Sequence, residues 1–342
     1  MPEHRFIVPD LQGPPSGGTL YNRELLRELK SLGTPASTLE PDLALAALQA
    51  GEAGVYWVDT LFLEHFEALW RANRQRRVLG LLAHYLPSLV AQGDAVPTEG
   101  LRRDEAFALA HCDVVLAPSG YLKRALIRLG LAAPCFVVEP GCLTHGLAAN
   151  ETGSAGVRAL MIANLTPGKG VEPFLRALSQ QLRAEDAFQL EIVGRLDLDA
   201  ACARACQNAV QEHAELSRRV VFSGGLSPTQ VSERLLASNL LISASRMESF
   251  GMAVADALTV GVPVVALGRG NVIELVDAAA GGVLAASDDE LALACLTLAR
   301  DASAHARAVE LAQSRPRRPR SFADAAADFV RQVSASDLAE RA

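Results

Sequence analysis

Two acidic residues stand eight positions apart around a glycine-containing turn in the segment "RMESFGMAVADAL", residues 246–258. Glu248 precedes the turn, and Asp256 lies within a stretch that has helical spacing. The start of this helix leaves the N–H groups of residues such as Gly251 and Met252 unpaired, and such groups attract phosphate. Because eight helical residues span about 12 Å, the two acids have the spacing to hold the sugars on either side of a diphosphate.

Short apolar runs alternate with longer amphipathic segments along the whole chain. Examples are "RFIVP", "GVYWVDT" and "DVVLAP" in the first half, and "VRALMIAN", "FQLEIVG" and "VPVVAL" in the second. Strand-length runs separated by helices predict an α/β fold with parallel sheets covered on both faces. The series restarts after a polar stretch at residues 145–156, which reads as a linker. Ligands of such sheets bind beyond the carboxyl ends of the strands, so we expect a site in the cleft between two domains.

The composition is that of a globular protein with two domains. The chain has 342 residues, of which half are apolar, and its net charge of -7 argues against a nucleic-acid partner. The six cysteines lack the paired spacing of a zinc site, and the first ten residues lack the features of a signal peptide, so we expect a cytoplasmic protein. Four arginines leave a peripheral contact with an anionic membrane open, although a solvated helix face is favoured: Arg71, Arg74, Arg76 and Arg77.

The opening segment continues into "TVGVPVVAL", and together they resemble the donor-binding signature of family 4 (GT4) glycosyltransferases of the GT-B fold. The stretch "ANLTPGKGVEPFLRAL" looks like the strand, loop and helix that carry a phosphate-binding lysine in that family, here Lys169. In the first half, "PPSGGTLYNRELLRELKSLG" is similar to the glycine-rich loop, with Gly17 and Gly18, that opens the first helix. "DVVLAPSGYLKRALIRLG" is similar to the last strand and helix of the acceptor domain.

The resemblance implies two Rossmann-like domains whose parallel sheets face an inter-domain cleft. Residues 1–150 would form the acceptor-side domain and residues 151–320 the donor-binding domain. The last segment, residues 321–342, would form a helix that crosses back to the first domain.

The resemblance also implies a retaining transfer of a sugar from a nucleoside diphosphate donor, linked to UDP or GDP. The acceptor is an unidentified glycan, lipid or small molecule. Lys169 and the helix start at Gly251 would stabilise the leaving phosphate without a metal or another cofactor. Glu248, Lys169 and His84 form the predicted catalytic set, in which His84 contacts the donor sugar or the acceptor.

The predicted donor-binding residues are Gly17, Gly18, Asn164, Lys169, Glu248, Phe250, Gly251, Met252 and Asp256. Two of them depart from the family pattern. Asn164 stands where the family has an arginine, and Asp256 replaces a glutamate. Arg195 and Arg246 are candidates for the missing cation.

Other interpretations stay open on the sequence alone. Taken singly, Lys169 is typical of a surface lysine on a turn, and His84 of a core or rim histidine at a strand end. The two departures also suit a catalytically silent GT-B subunit that binds a nucleotide sugar or a partner. A nicotinamide-dependent oxidoreductase is the remaining alternative, but the stretch "GPPSGGTLYN" lacks the G-x-G-x-x-G fingerprint that it requires.

Overall fold

The computed structural model describes residues 2–13, 16–91, 100–148, 156–336 and 338. The chain divides into two compact units, Met1–Gly141 with Arg320–Ala342, and Cys142–Pro319. The second unit begins before the predicted linker, because the main chain at 142–148 bonds within that unit; the Ala148 N–H, for example, donates to the Val260 carbonyl over 2.9 Å. Residues 149–155 of the predicted linker lie outside the described residues.

The first unit contains a six-stranded sheet in the order β2-β1-β3-β4-β5-β6, and all its strand pairs are parallel. Its strands are β1 (His4–Ile7), β2 (Ala36–Leu39), β3 (Val55–Asp59), β4 (Val78–Leu82), β5 (Val114–Ala117) and β6 (Cys135–Val137). Strands β3 and β4 are buried along their whole length, as their nearly continuous apolar sequence predicts. Asp59 pairs with Leu82, so these two strands end at the same edge.

Seven α-helices of the described residues belong to the first unit: α1 (Gly17–Ser31), α2 (Pro41–Ala50), α3 (Leu63–Ala72), α4 (Pro87–Ala91), α5 (Arg103–His111), α6 (Gly120–Arg128) and, from the end of the chain, α15 (Phe322–Ser334). Helix α15 is amphipathic, and its Phe329 ring packs 5.1 Å from His4 and 5.5 Å from Trp57. Because Phe329 is fully buried, the last helix completes the core of the first unit.

The second unit has its own six-stranded parallel sheet, in the order β12-β11-β10-β7-β8-β9. Its strands are β7 (Val157–Ile162), β8 (Phe188–Val193), β9 (Val220–Gly224), β10 (Leu240–Ser243), β11 (Val264–Leu267) and β12 (Val283–Ala285). Successive residues of β7 join different core clusters: Ala159 and Met161 pack in one, and Leu160 in the other. Both faces of the sheet are therefore covered.

The helices of the second unit are α7 (Val171–Gln181), α8 (Ala200–Gln211), α9 (Ala214–Arg219), α10 (Pro228–Ala237), α11 (Met252–Thr259), α12 (Val272–Leu275), α13 (Asp288–Arg300) and α14 (Ala302–Ser314). Short 3-10 turns add Thr60–Phe62 in the first unit, and Pro167–Lys169 and Ala278–Ala280 in the second. Within the described part of the chain, no helix has the length and apolar character needed to cross a membrane.

Candidate functional site

A lysine and a glutamate meet at the carboxyl ends of two neighbouring strands of the second unit. Lys169 ends the 3-10 turn that follows β7, and Glu248 lies on the chain that leaves β10. Lys169 Nζ lies 2.5 Å from Glu248 Oε1, and 34% of the lysine side chain and 18% of the glutamate side chain are exposed. Because an ammonium group has three N–H donors, Lys169 has capacity to bind an anion besides Glu248.

The lysine loop is fixed by close backbone contact with the chain that follows β10. Gly170 has a φ of 64°, and a Cβ added there would lie 2.1 Å from the Ala244 carbonyl oxygen. The Arg246 N–H also donates to the Gly168 carbonyl over 2.9 Å. Only glycine fits at position 170, so steric contact sets where Lys169 lies.

The glutamate loop is held from its other side by residues that follow β11. A Cβ on Gly270 would lie 2.4 Å from the Glu248 carbonyl oxygen, so the backbones touch. The Asn271 N–H donates to the same carbonyl over 2.8 Å, and Asn271 Nδ2 donates to the Phe250 carbonyl over 2.7 Å. Asn271 is only 4% exposed, which makes it a buried brace for this loop.

Helix α11 starts directly beside Glu248. Gly251 is its N-cap, with a φ of 91° and no side-chain cap, and a Cβ on Gly251 would lie 3.8 Å from Glu248 Cβ. The first N–H groups of a helix and its dipole both favour an anion. The lysine and this helix start together have the chemistry of a phosphate site.

Two other predicted donor residues flank this helix start. Met252 is half-buried. Phe250 is 5% exposed, and its ring centroid lies 5.7 Å from the Arg317 guanidinium carbon. The Phe250 side chain therefore packs within the unit, and the contact of these two residues with a donor stays a prediction.

Asp256 has partners within the protein. Its carboxylate accepts hydrogen bonds from the Leu143 N–H at 3.1 Å, the Thr144 N–H at 3.2 Å and the Thr144 hydroxyl at 3.1 Å. The residue is 7% exposed, and this burial raises its pKa to about 6, against the lowering effect of the hydrogen bonds. Asp256 thus joins helix α11 to the start of the second unit, and ribose binding by it stays a prediction.

Asn164 joins the ends of β7 and β8. Its Oδ1 accepts from the Arg195 N–H over 2.9 Å, and the Leu165 N–H donates to the Arg195 carbonyl over 2.9 Å. A Cβ on Gly194 would lie 2.0 Å from the Ala163 carbonyl oxygen, so glycine permits this close approach. The amide at the position of the expected arginine therefore has a structural partner.

Both candidate replacement cations pair with acids. Arg195 donates from Nε and a terminal nitrogen to the two oxygens of Asp197, at 2.9 and 2.7 Å, and these bonds lower the pKa of Asp197. Arg246 donates to Asp288 over 2.8 Å. A Cβ added at Gly170 would lie 3.1 Å from Arg246 Nε, so Arg246 does lie next to the lysine loop.

His84 follows β4 in the first unit and contacts the start of helix α1. A Cβ added at Gly18 would lie 3.6 Å from three atoms of the His84 side chain, and Gly17 precedes it as the first residue of the helix. His84 Nε2 lies 2.7 Å from Asn22 Oδ1, and Asn22 Nδ2 donates to Asp59 over 2.8 Å. Burial lowers the pKa of His84, and the negative charge of Asp59 opposes that effect.

Residues 151–315 match the family described as "Glycosyl transferases group 1". The chain contains a group 1 glycosyltransferase domain. The matched residues include all the predicted donor-binding residues of the second unit, among them Lys169, Glu248 and Asp256. The match confirms the predicted resemblance to glycosyltransferases.

The chain is also similar to the alpha-monoglucosyldiacylglycerol synthase of Streptococcus pneumoniae (strain ATCC BAA-255 / R6), with 26% identity over 137 residues. The alignment covers 40% of this chain and 30% of that protein.

Two solved structures are similar over nearly the whole chain. Sucrose-phosphate synthase from Thermosynechococcus elongatus has a TM-score of 0.78 and 18% identity, covering 98% of this chain and 100% of its own. Anabaena Alr3699/HepE in complex with UDP and glucose has a TM-score of 0.76 and 18% identity, with the same coverage of both chains. This likeness confirms the predicted α/β fold class of the GT-B type.

Several residues that shape the group 1 domain and the His84 region were not singled out from the sequence. They are Asn22, Asp59, Gly270 and Asn271. Asp59 had a usable signal, since it is an acid that ends the buried strand "VYWVD". Asn271 follows the strand "VVAL" by only a few residues, but nothing in its neighbours indicates that it braces a loop more than twenty positions earlier.

Proposed function

We propose that this chain is a retaining family 4 glycosyltransferase that transfers a hexose from a nucleoside diphosphate sugar without a metal. The observation that carries the proposal is the Lys169–Glu248 pair beside the start of helix α11, in the group 1 domain. A cation and a helix start that lie on adjacent loops match the charge of a diphosphate.

Lys169 is the residue proposed to stabilise the leaving group. As the bond between the anomeric carbon and the diphosphate oxygen breaks, its electron pair moves to the diphosphate. Lys169 and the N–H groups at Gly251 and Met252 would then offset the added negative charge. A fixed ammonium group supplies part of what a divalent cation supplies in other enzymes, which is the basis for proposing that no metal is required.

Glu248 is proposed to orient Lys169 and to accept a hydrogen bond from a sugar hydroxyl. Its carboxylate is already 2.5 Å from the lysine and keeps 18% of its surface exposed. Retention follows if the acceptor oxygen bonds to the anomeric carbon on the face that the diphosphate leaves, while the acceptor proton moves to a diphosphate oxygen. His84, which belongs to the first unit, is proposed to contact the donor sugar or the acceptor.

UDP-glucose is the first donor to test. One of the similar solved structures is Anabaena Alr3699/HepE in complex with UDP-glucose, with a TM-score of 0.76 at 18% identity. A glycan, a lipid or a small molecule remains the proposed acceptor class. We also propose a cytoplasmic location for the protein.

The experiment measures release of nucleoside diphosphate from UDP-, GDP- and ADP-sugars with a panel of sugar and lipid acceptors. We expect turnover with at least one UDP- or GDP-sugar, undiminished in excess EDTA, and a product that keeps the donor's anomeric configuration. Loss of turnover in EDTA with recovery on adding magnesium or manganese would contradict metal independence alone. An inverted product would contradict retention.

A catalytically silent subunit is the second candidate, because two expected donor contacts have other partners. Asn164 bonds to the main chain at Arg195, and Asp256 bonds to the main chain at Leu143 and Thr144. This alternative predicts that UDP or GDP binds while no sugar in the panel is hydrolysed or transferred. No contact among the described residues favours the nicotinamide alternative.

A further inference from the structure

A shallow groove lies between helices α3 and α5 on the surface of the first unit. Its volume of about 390 Å³ falls within the range of small-molecule sites, about 300 to 1,000 Å³. Helix α3 follows β3 and α5 precedes β5, so in a parallel sheet both helices begin at the carboxyl edge. From Leu63 to Trp70, α3 extends about 10 Å away from that edge, which is longer than one sugar ring.

An exposed tryptophan lies next to this α3–α5 groove. The Trp70 ring packs against Phe107 and His111, with ring centroids 5.6 and 4.7 Å apart, and Phe107 itself lines the groove. Trp70 is nevertheless 40% exposed, whereas Trp57, the other tryptophan, is fully buried. Because neighbouring rings already hold Trp70 in place, little side-chain freedom is lost when a ligand covers it.

The charged side chains of the groove are of both signs. Among the described residues, its lining includes three acids and two arginines: Glu64, Glu67, Asp104, Arg102 and Arg103. Arg102 pairs with Asp104 at 2.9 Å, and Arg71 pairs with Glu67 at 2.6 Å. The hydrogen bond from Arg71 lowers the pKa of Glu67, so this carboxylate is charged at neutral pH. A lining with more negative than positive charge disfavours phosphate groups and anionic lipids.

A neutral sugar chain matches both features of the groove. The C–H groups on one face of a pyranose ring carry partial positive charge, and they pack on the negative face of an aromatic ring. The hydroxyls at the rim of the sugar need donors and acceptors, which the arginines and carboxylates of the groove supply. Neutral hydroxyls also leave the Arg71–Glu67 and Arg102–Asp104 pairs intact.

We propose that the α3–α5 groove binds a neutral oligosaccharide, one of whose pyranose rings stacks on Trp70. The groove begins at the carboxyl edge where His84 follows β4, so a bound chain leads away from that edge along α3. That this oligosaccharide is the acceptor rests on the proposed function. Binding itself requires neither a donor nor transfer.

The first test screens labelled wild-type protein on an array of neutral and charged glycans, followed by acrylamide quenching of tryptophan fluorescence. Because Trp57 is buried, the quenchable fluorescence comes from Trp70. We expect at least one neutral oligosaccharide to bind, to protect Trp70 from acrylamide, and to bind equally well at high salt. A protein that binds no glycan on the array, or a bound glycan that leaves the quenching unchanged, would overturn the inference.

The second test measures calorimetrically how variants bind the glycan found on the array. Trp70→Ala should weaken binding at least about ten-fold, as expected when an aromatic anchor is truncated. The control is Leu43→Ala, which removes a 60% exposed apolar side chain from α2 and should match wild type. Unchanged affinity in folded Trp70→Ala would refute the stacking role. If that variant does not fold, the quenching of the wild-type protein decides the question.

A membrane surface is the competing ligand for an exposed tryptophan. Sedimentation with phosphatidylglycerol vesicles tests it, and we expect no binding that depends on Trp70. Vesicle binding that Trp70→Ala abolishes, together with a blank glycan array, would replace the proposal by a lipid contact.

Transfer to the bound glycan tests its role as the acceptor. Trp70→Ala should raise KM for the oligosaccharide and leave both kcat and the KM for a single sugar unchanged. An unchanged KM for the oligosaccharide would contradict that role. If no donor reacts with any acceptor, the proposed function fails, while the binding results still decide what the groove holds.

Discussion

The two units have the same kind of parallel sheet but different chemistry at the carboxyl ends of their strands. In the second unit, two opposite and partly exposed charges, Lys169 and Glu248, lie on loops that glycine contacts hold in place. In the first unit, His84 ends a hydrogen-bonded chain that begins at the fully buried Asp59. The sheet determines where polar groups gather, and the loop residues determine whether that edge carries two opposite charges or a hydrogen-bonded histidine.

The comparison also separates two ways of fixing a side chain. The position of the lysine loop depends on the absence of a Cβ at Gly170, so a side chain added there should destabilise the folded protein. The histidine depends on hydrogen-bond partners, so added atoms nearby should matter less than the loss of those partners.

The largest expected effect is that of Gly170→Ala. Its Cβ would lie 2.1 Å from the Ala244 oxygen at a φ of 64°, so strain and overlap combine and we expect unfolding to become easier by about 3 kcal/mol or more. Gly224→Ala is the matched control, because it has a φ of 70° with nothing within 4 Å and should lose only about 1 kcal/mol. Equal losses in urea denaturation would refute the steric account.

Asp256→Asn should produce the next largest effect, seen as a change in pH dependence. The folded pKa of Asp256 is raised from 3.8 to about 6, so the folded protein binds this proton more tightly than the unfolded chain. Stability relative to the asparagine variant should therefore fall as the pH rises from about 4 to 7, by about 2 to 3 kcal/mol.

The control for this pH effect is Asp197→Asn, measured in the same denaturation series. Arg195 lowers the pKa of Asp197, so the stability supplied by that carboxylate is present at neutral pH and is lost as the pH falls. The two variants should thus differ from wild type with opposite pH slopes. If the stability difference from wild type changed with pH in the same direction for both variants, the raised pKa of Asp256 would be contradicted.

The smallest effect is expected for Gly18→Ala in the first unit. Its Cβ would lie in ordinary contact with the His84 side chain, at 3.6 Å, so the free energy of unfolding should change by less than about 0.5 kcal/mol. A large loss of stability here would remove the contrast between the two units.

Much of the fold was predictable because buried parallel strands have a local signature. The apolar runs at β3, β7 and β11 predict strands, and the turn around Glu248 and Gly251 predicts a helix start from neighbouring residues alone. Lys169 was predicted from the resemblance of "ANLTPGKGVEPFLRAL" to the lysine loop of family 4 glycosyltransferases, because taken singly it is typical of a surface lysine on a turn.

The partners of the polar residues were not predictable, since they depend on contacts between distant segments. Asp256 bonds to residues more than 110 positions earlier, and His84 bonds to Asn22 across 62 positions. A carboxylate that could bind a ribose has the same sequence pattern as one that accepts main-chain N–H groups. Only the packing of helix α11 against residues 143 and 144 distinguishes them in this structure.

The most direct test of the central claim, that Lys169 binds a donor diphosphate, is calorimetric titration of UDP and of uridine into wild-type protein and two lysine variants. Lys169→Ala should weaken UDP binding by about 1.5 to 3 kcal/mol, the range for a hydrogen bond to a charged group, and leave uridine binding unchanged. Lys30→Ala is the control, because Lys30 is exposed on helix α1; its affinities for both ligands should match those of wild type. Unchanged UDP affinity in Lys169→Ala, or an equal loss for UDP and uridine, would contradict the account.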